Sequence, residues 1–387
     1  MEIIISILIL LSVSLVVGQI FERFGFPSVI GQILSGVALG PALLGVVLPT
    51  ASLTSISDIS LFFIILLLGI EVTTRNLTSY PKQSSILSLS SFILPMVLMG
   101  SVAYFWFNLD LAKATIVSVA MAVPSISIVS VLLMKYGLVG TRDGDRILSS
   151  VVISDILAFI ILSSVSRSLT IYSFIELISF ISVFIVFILM IARALRKHSK
   201  IISRFFRSLS ERKDGETAIF ATVIILGLLI ASLLQLIGIT FVLGAFFAGI
   251  LIDELVVGKD IFRKLIHTFR RIDESFFVPL FFSIAGATAI LPNSSYIFFL
   301  LVMITMSSVI STLLTKLFSE RHFDKLSVLK SMSLLGSRGA VGIIIASISL
   351  SSGIINLSLY SVIIFGTLLM SIIFPSLMRQ GNYRRVK

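Results

Sequence analysis

Ile30-Gly-Gln-Ile-Leu-Ser-Gly-Val-Ala-Leu39 and Leu243-Gly-Ala-Phe-Phe-Ala-Gly-Ile-Leu-Ile252 align with Gly31 on Gly244, Ser35 on Ala248 and Gly36 on Gly249, 213 residues apart. Both carry small residues four apart, which form the small-xxx-small faces through which membrane helices approach closely. The offset recurs at two interruptions. Ala122-Val-Pro-Ser-Ile-Ser127 breaks an apolar run at Pro124, whose ring clashes with the preceding turn and which has no N–H to donate. Moving 213 residues on from Pro124 reaches Gly336-Ser-Arg-Gly-Ala-Val-Gly342, the other stretch whose residues loosen a helix.

The composition sets the environment. Of 387 residues, 57% are apolar and 13% charged, against about 25% charged in soluble domains. The apolar residues fall in runs of about twenty, the length that crosses a hydrocarbon core of about 30 Å. Thirteen spans are predicted, near residues 3–20, 28–46, 56–73, 84–106, 113–134, 147–166, 171–192, 217–236, 239–256, 275–291, 295–315, 330–350 and 355–378. The opening Met1–Ile20 stretch lacks a basic n-region and a small-residue cleavage site, and reads as a retained first span. With no cysteine, disulfides and thiolate metal sites are excluded. His198, His267 and His322 lie in polar loops, which speaks against zinc or haem.

The net charge of +11 reads as topology and not as nucleic-acid binding. Loops after odd-numbered spans, with the C-terminus, hold 27 of the 30 Lys and Arg. Lys113 and Arg167 fall on the other side, and Arg338 lies inside the twelfth span. The N-terminus is therefore predicted outside, and the C-terminus and basic loop 193–216 inside. The interrupted spans, the fifth and twelfth, differ by an odd number, so the units that contain them run in opposite directions. The expected organisation is a first inverted repeat at 1–168 (spans 1–6), a linker at 169–216 (span 7 and the basic loop), and a second repeat at 217–387 (spans 8–13). The fold class is all-α, with the fifth and twelfth spans discontinuous and crossed. Paired broken helices of this kind point to the site of a secondary transporter.

Three unusual features then share one depth: Pro124, Asp155 in the sixth span and Arg338 in the twelfth. A lone charge there costs at least about 2.5–3.5 kcal/mol on insertion scales. One reading is a structural Asp155–Arg338 pair. The functional reading leaves Asp155 free, and burial disfavours its bare anion, so it carries either a proton or a hard cation. Arg338, flanked by Gly336 and Gly339, then neutralises carbonyl ends exposed where the twelfth span is broken. Ser154, Ser125 and Ser127 are candidate neutral oxygen ligands, with carbonyls freed beside Pro124. The metal is a transient monovalent cation at Asp155, and no cofactor is expected. Glu71 reads as an interfacial residue pairing with Arg75. An intramembrane aspartyl protease needs two facing aspartates, and only Asp155 lies deep in a span.

The chain resembles the monovalent cation:proton antiporter-2 family, within the wider sodium/proton antiporter fold. The resemblance rests on Gly31-Gln-Ile-Leu-Ser-Gly-Val-Ala-Leu-Gly-Pro41, Leu67-Leu-Gly-Ile-Glu71, Pro124-Ser125, Thr141-Arg-Asp-Gly-Asp145 and Val152-Ile-Ser-Asp155. It continues through Gly244-Ala-Phe-Phe-Ala-Gly249, Pro279-Leu-Phe-Phe282 and Ser337-Arg-Gly-Ala-Val341. It implies a multi-pass protein of the lipid bilayer, in a prokaryotic plasma membrane, that exchanges Na+ or K+ for H+. It also implies a homodimer whose core domain moves against a dimerisation domain, and an ion site at crossed, unwound helices. Relatives usually carry Asp-Asp, Asn-Asp or Gln-Asp where this chain has Ser154-Asp155. Some relatives also bear a lysine in the region of Ser283. A single titrating carboxylate exchanges one proton for one monovalent ion, so exchange is expected to be electroneutral. The rival readings are a cation channel or cation-coupled symporter of the same fold, and a transport-inactive sensor.

Overall fold

The computed structural model describes residues 3–71, 81–135, 137–139, 141–165, 190, 193, 204, 206, 208–209, 214–236, 240–252, 254–322 and 334–382. Fourteen helices carry the architecture: α1 (Ile3–Arg23), α2 (Ser28–Leu39), α3 (Ala51–Glu71), α4 (Pro81–Ser88, a π-turn Leu89–Ile93, then Leu94–Phe105), α5 (Leu111–Ala122), α6 (Ile126–Lys135), α7 (Arg142–Val165), α8 (Gly215–Leu236), α9 (Phe241–Leu251), α10 (Lys259–Ile272), α11 (Val278–Thr288, reached from α10 through a π-turn Asp273–Phe277), α12 (Ser294–His322), α13 (Ala340–Ser351) and α14 (Leu357–Asn382). Among the described residues, six stretches are long and apolar enough to cross a membrane: Ile3–Arg23, Ala51–Glu71, Lys82–Phe105, Arg142–Val165, Gly215–Leu236 and Leu357–Phe374. Shorter helices lie in other predicted spans, and two of these, Leu111–Ala122 and Ala340–Ser351, are short because each abuts an interruption. Most of the seventh span and of the linker at 169–216 lies outside the described residues, as do Arg75 and the side chain of Ser127.

Helices are the answer the solvent imposes, since a bilayer offers no hydrogen bonds to unpaired backbone. Asx residues cap three of them. Asp110 accepts from Lys113 N (2.8 Å), Asn293 from Tyr296 N (3.1 Å) and Asn356 from Leu359 N (2.9 Å), satisfying the first-turn amides of α5, α12 and α14. The faces α1 and α8 leave exposed are apolar, among them Leu8, Val16, Ile225 and Leu233, as lipid contact requires.

Both π-turns have a local cause in the sequence. Pro95 stands two residues past Leu89–Ile93, and Pro279 two residues past Asp273–Phe277. A proline inside a helix withholds an N–H and pushes its ring at the carbonyl four residues back, and a widened turn accommodates both.

The chain divides into two compact units. One comprises Met1–Ser55, Asn76–Ala158 and Pro279–Lys387, the other Ile56–Arg75 and Phe159–Val278. In the first, α2 packs on α1 and α11. A Cβ on Gly31 would sit 2.7 Å from Val17 O and 2.9 Å from Gly18 Cα, and one on Gly36 would overlap Ser283 O. In the second, α9 packs on α8 and α3. A Cβ on Gly244 would sit 2.7 Å from Ala231 Cα, and one on Gly249 would sit 2.7 Å from Gly69 Cα. The contacts correspond across the 213-residue offset: Gly18 matches Ala231, and Ile33, whose carbonyl faces Gly286, matches Phe246, whose carbonyl faces Gly69. The second span thus meets the tenth while the ninth meets the third, the exchange that inverted repeats produce.

Candidate functional site

The first unit contains both interruptions. Between α5 and α6 the backbone turns extended at Val123 (φ −66°, ψ 125°). Before α13, residues 337–339 separate it from a turn of helix at 334–336. The two breaks cross and pair as a short antiparallel bridge between Pro124 and Arg338. Ser125 N donates to Ser337 O at 3.0 Å, and the Ser371 hydroxyl meets the Arg338 carbonyl. Backbone groups that the breaks remove from helices are thereby returned to partners, which buried backbone requires. Gly339 permits the crossing: a Cβ there would lie 2.6 Å from Ser125 Oγ and 2.9 Å from Ser125 Cβ. Gly336 faces the ring of Phe374 as tightly.

Arg338 is fully buried. Its Nη1 donates to Leu335 O at 3.3 Å, a carbonyl of the turn that ends at the break. Nη1 and Nη2 also approach Ser91 O at 3.4 and 3.5 Å. Ser91 lies in the α4 π-turn, and Pro95, four residues on, has no N–H to give its carbonyl. Pro95 thus prepares an acceptor, and Arg338 supplies the donor. Sequence reasoning missed this pair, although a proline in the middle of the fourth span was its visible signal.

Asp155 lies on α7, thirteen residues after Arg142 and ten before Val165, about 20 and 15 Å from the two ends at 1.5 Å per residue. It is 1% exposed. Its Oδ1 has no hydrogen-bond partner among the described residues. Asp155 takes part in none of the ion pairs among the described residues, so a structural pair with Arg338 is not what holds it. Ser154 points elsewhere: its hydroxyl lies 2.9 Å from Ser88 Oγ on α4 and 2.9 Å from Ser150 O. Ser125 is buried beside Gly339 and lines a small pocket with Pro27, Ile30, Ile128 and Ser371. The structure therefore brings Pro124, Ser125, Arg338 and Gly339 together at the crossing. It ties Ser154 to α4 and leaves Asp155 Oδ1 without a protein donor among the described residues. No cluster of three or more His, Cys, Asp or Glu side chains suited to a resident metal occurs among them.

A family model described as sodium/hydrogen exchanger, transmembrane, matches residues 7–379. The chain belongs to this family. It is 30% identical to an Na+/H+ antiporter of Enterococcus hirae over 97% of each chain. It is 27% identical to the Na+/H+-K+ antiporter GerN of Bacillus cereus over 96% of this chain and 94% of that one. Among solved structures it is similar to the sodium proton antiporter MjNhaP1 from Methanocaldococcus jannaschii. One structure matches with a TM-score of 0.67 at 16% identity, covering 99% of this chain and 98% of that one. A second has a TM-score of 0.69 at 19% identity, covering 98% and 97%. The fold is thus that of a membrane antiporter, and the exchanger is a multi-pass membrane protein.

The exchanger's polar groups are unequal in chemical capacity. Arg338 and the crossing are committed to backbone carbonyls, and Ser154 to Ser88. A carboxylate shut away from water, with one oxygen lacking a donor among the described residues, is poised for a ligand that brings positive charge, whether a proton or a hard cation.

Proposed function

We propose that the exchanger moves Na+, in preference to K+, against H+ by alternating access, with Asp155 as the shared site. The observation that carries this reading is the buried Asp155 carboxylate, whose Oδ1 has no protein partner among the described residues. Proton and cation exclude each other there because each neutralises the same single charge. Ser125, Ser127 and carbonyls beside Pro124 supply neutral oxygens, and Arg338 offsets the carbonyl end at Leu335. The E. hirae and B. cereus relatives support exchange over a channel, a symporter or a silent sensor. The protein acts as a homodimer in a prokaryotic plasma membrane, with its N-terminus outside and its C-terminus in the cytoplasm. No enzymatic step or cofactor is required.

One carboxylate per cycle makes the exchange electroneutral. A charge moved per cycle would shift the equilibrium by about 2.3 kcal/mol per 100 mV, or about 50-fold. In proteoliposomes at fixed ion gradients, the pH difference at which net flux vanishes is expected to stay put when the membrane voltage is changed with a potassium diffusion potential. Displacement of that null point with voltage would refute single-carboxylate coupling.

A further inference from the structure

The second unit contains a buried acid that the exchange reading does not use. Asp273 opens the π-turn ahead of α11, just outside the tenth span predicted at 275–291. It is 1% exposed, and neither carboxylate oxygen has a hydrogen-bond partner among the described residues. Such a group is costly as a bare anion and calls for an explanation. Burial, then the negative charges of Glu71 and Glu274, push its pKa up to about 8 from an ordinary 3.8.

Its surroundings are specific. From α3, Glu71 Oε1 accepts from Arg270 Nη2 at 2.6 Å and from Nε at 3.2 Å. Phe63, in the middle of α3, stacks on Phe277 of the same π-turn at 4.2 Å, so α3 is seated on the turn that Asp273 begins. From α8, Glu216 is already held by Lys264 at 2.7 Å, and Phe220 packs on Phe269. The described part of α9, Phe241–Leu251, brings no charge. Among the described residues, the charged groups acting on Asp273 are Glu71 and Glu274, with Arg270 as the cation already bonded to Glu71 and attracted by Glu274.

We propose that Asp273 is a second proton-binding site of the exchanger, separate from Asp155, whose occupancy governs the Glu71–Arg270 link between α3 and α10 and so the pH range of exchange. With its proton, Asp273 is neutral and leaves Arg270 to Glu71. When the proton leaves for solvent, the new carboxylate repels Glu71 and Glu274. The clamp that seats α3 on the π-turn then loosens.

The sign follows from linkage. Between the ordinary carboxylate range and about pH 8, folded Asp273 holds a proton that the unfolded chain has lost. Its contribution to stability is complete at acid pH, is lost as pH rises through that window and is flat above it. Melting of the full-length protein in detergent tests this without any transport. From about pH 5 to about pH 9, the melting temperature of wild type is expected to fall by several degrees more than that of Asp273→Asn. Coincident slopes would overturn the site.

Sodium-driven pH-gradient dissipation in proteoliposomes supplies the second readout, which alone rests on the exchange reading. Wild type is expected to show a limb in its rate–pH profile near pH 8 that vanishes in Asp273→Asn and returns in Asp273→Glu. Superimposable wild-type and Asp273→Asn profiles would overturn the regulatory role. If Asp273→Asn does not assemble, Glu71→Gln removes one repelling charge and is expected to move the limb to lower pH; an unmoved limb counts against the proposal equally.

Discussion

Asp155→Asn is expected to reduce cation-driven proton movement to the background of protein-free vesicles while leaving the protein folded. The amide has the size of the acid and none of its charge, so it can neither release a proton nor neutralise a cation. Stability is expected to move the other way. A charged acid at mid-span costs at least about 2.5–3.5 kcal/mol, and Oδ1 has no partner whose loss would offset that gain. The variant should therefore melt no lower than wild type at alkaline pH. A structural role for Asp155 predicts the opposite pairing, lost stability along with lost transport. Dissipation assays with Na+, K+ and Li+ beside detergent melting curves separate the two outcomes.

Gly339→Val is expected to have the next largest effect, through backbone and not through charge. A Cβ at 339 would stand 2.6 Å from Ser125 Oγ and 2.9 Å from Ser125 Cβ, closer than real carbons approach. The crossing must then open, and the Ser125 N to Ser337 O bond (3.0 Å) with it. Overpacking typically costs about 1–3 kcal/mol, and an unpaired buried amide adds about 1–3 kcal/mol. Lower melting temperature and loss of exchange are both expected. Adding Ser125→Gly removes the two atoms that clash and should recover part of the stability. If the double variant is no more stable than Gly339→Val, the contact with Ser125 is not what demands glycine.

The repeat and its breaks were legible because they rest on local chemistry. Pro124 cannot continue a helix in any context, and Gly336 and Gly339 bracket the other interruption. The 213-residue offset that links Gly31 to Gly244 also brought Pro124 to position 337, within one residue of the Arg338 with which it pairs. Asp155 stood out because hydropathy measures burial directly. Hydropathy does not tell which way a side chain points around its helix, so the partners across helices stayed hidden. Glu71 pairs with Arg270 on α10, a partner the sequence did not offer, while Arg75, expected one turn on, lies outside the described residues. Ser154 looked like a companion of Asp155, and its hydroxyl faces Ser88. Adjacent helical residues diverge by about 100°, so neighbours in sequence serve different walls. Arg338 was read as compensating the carbonyl end of its own broken span. Leu335 O fits that reading, while Ser91 O needed the proline in α4 to be recognised as a source of free acceptors.

Asp273 was overlooked for a related reason. It stands at the edge of a basic amphipathic helix whose neighbours Arg270 and Arg271 suggest a solvated face, yet α10 buries Phe262, Leu265 and Phe269 and carries Asp273 inward with them. The period of that helix makes the burial recoverable in principle, since 262, 265, 269 and 273 follow one another at three or four residues.

The competition between proton and cation at a single carboxylate is tested most directly by adding Na+ to purified, weakly buffered protein in detergent and counting the protons released. About one proton per bound ion is expected, with apparent Na+ affinity weakening as pH falls, and none from Asp155→Asn. Na+ binding without proton release, or equal release from wild type and Asp155→Asn, would contradict the account.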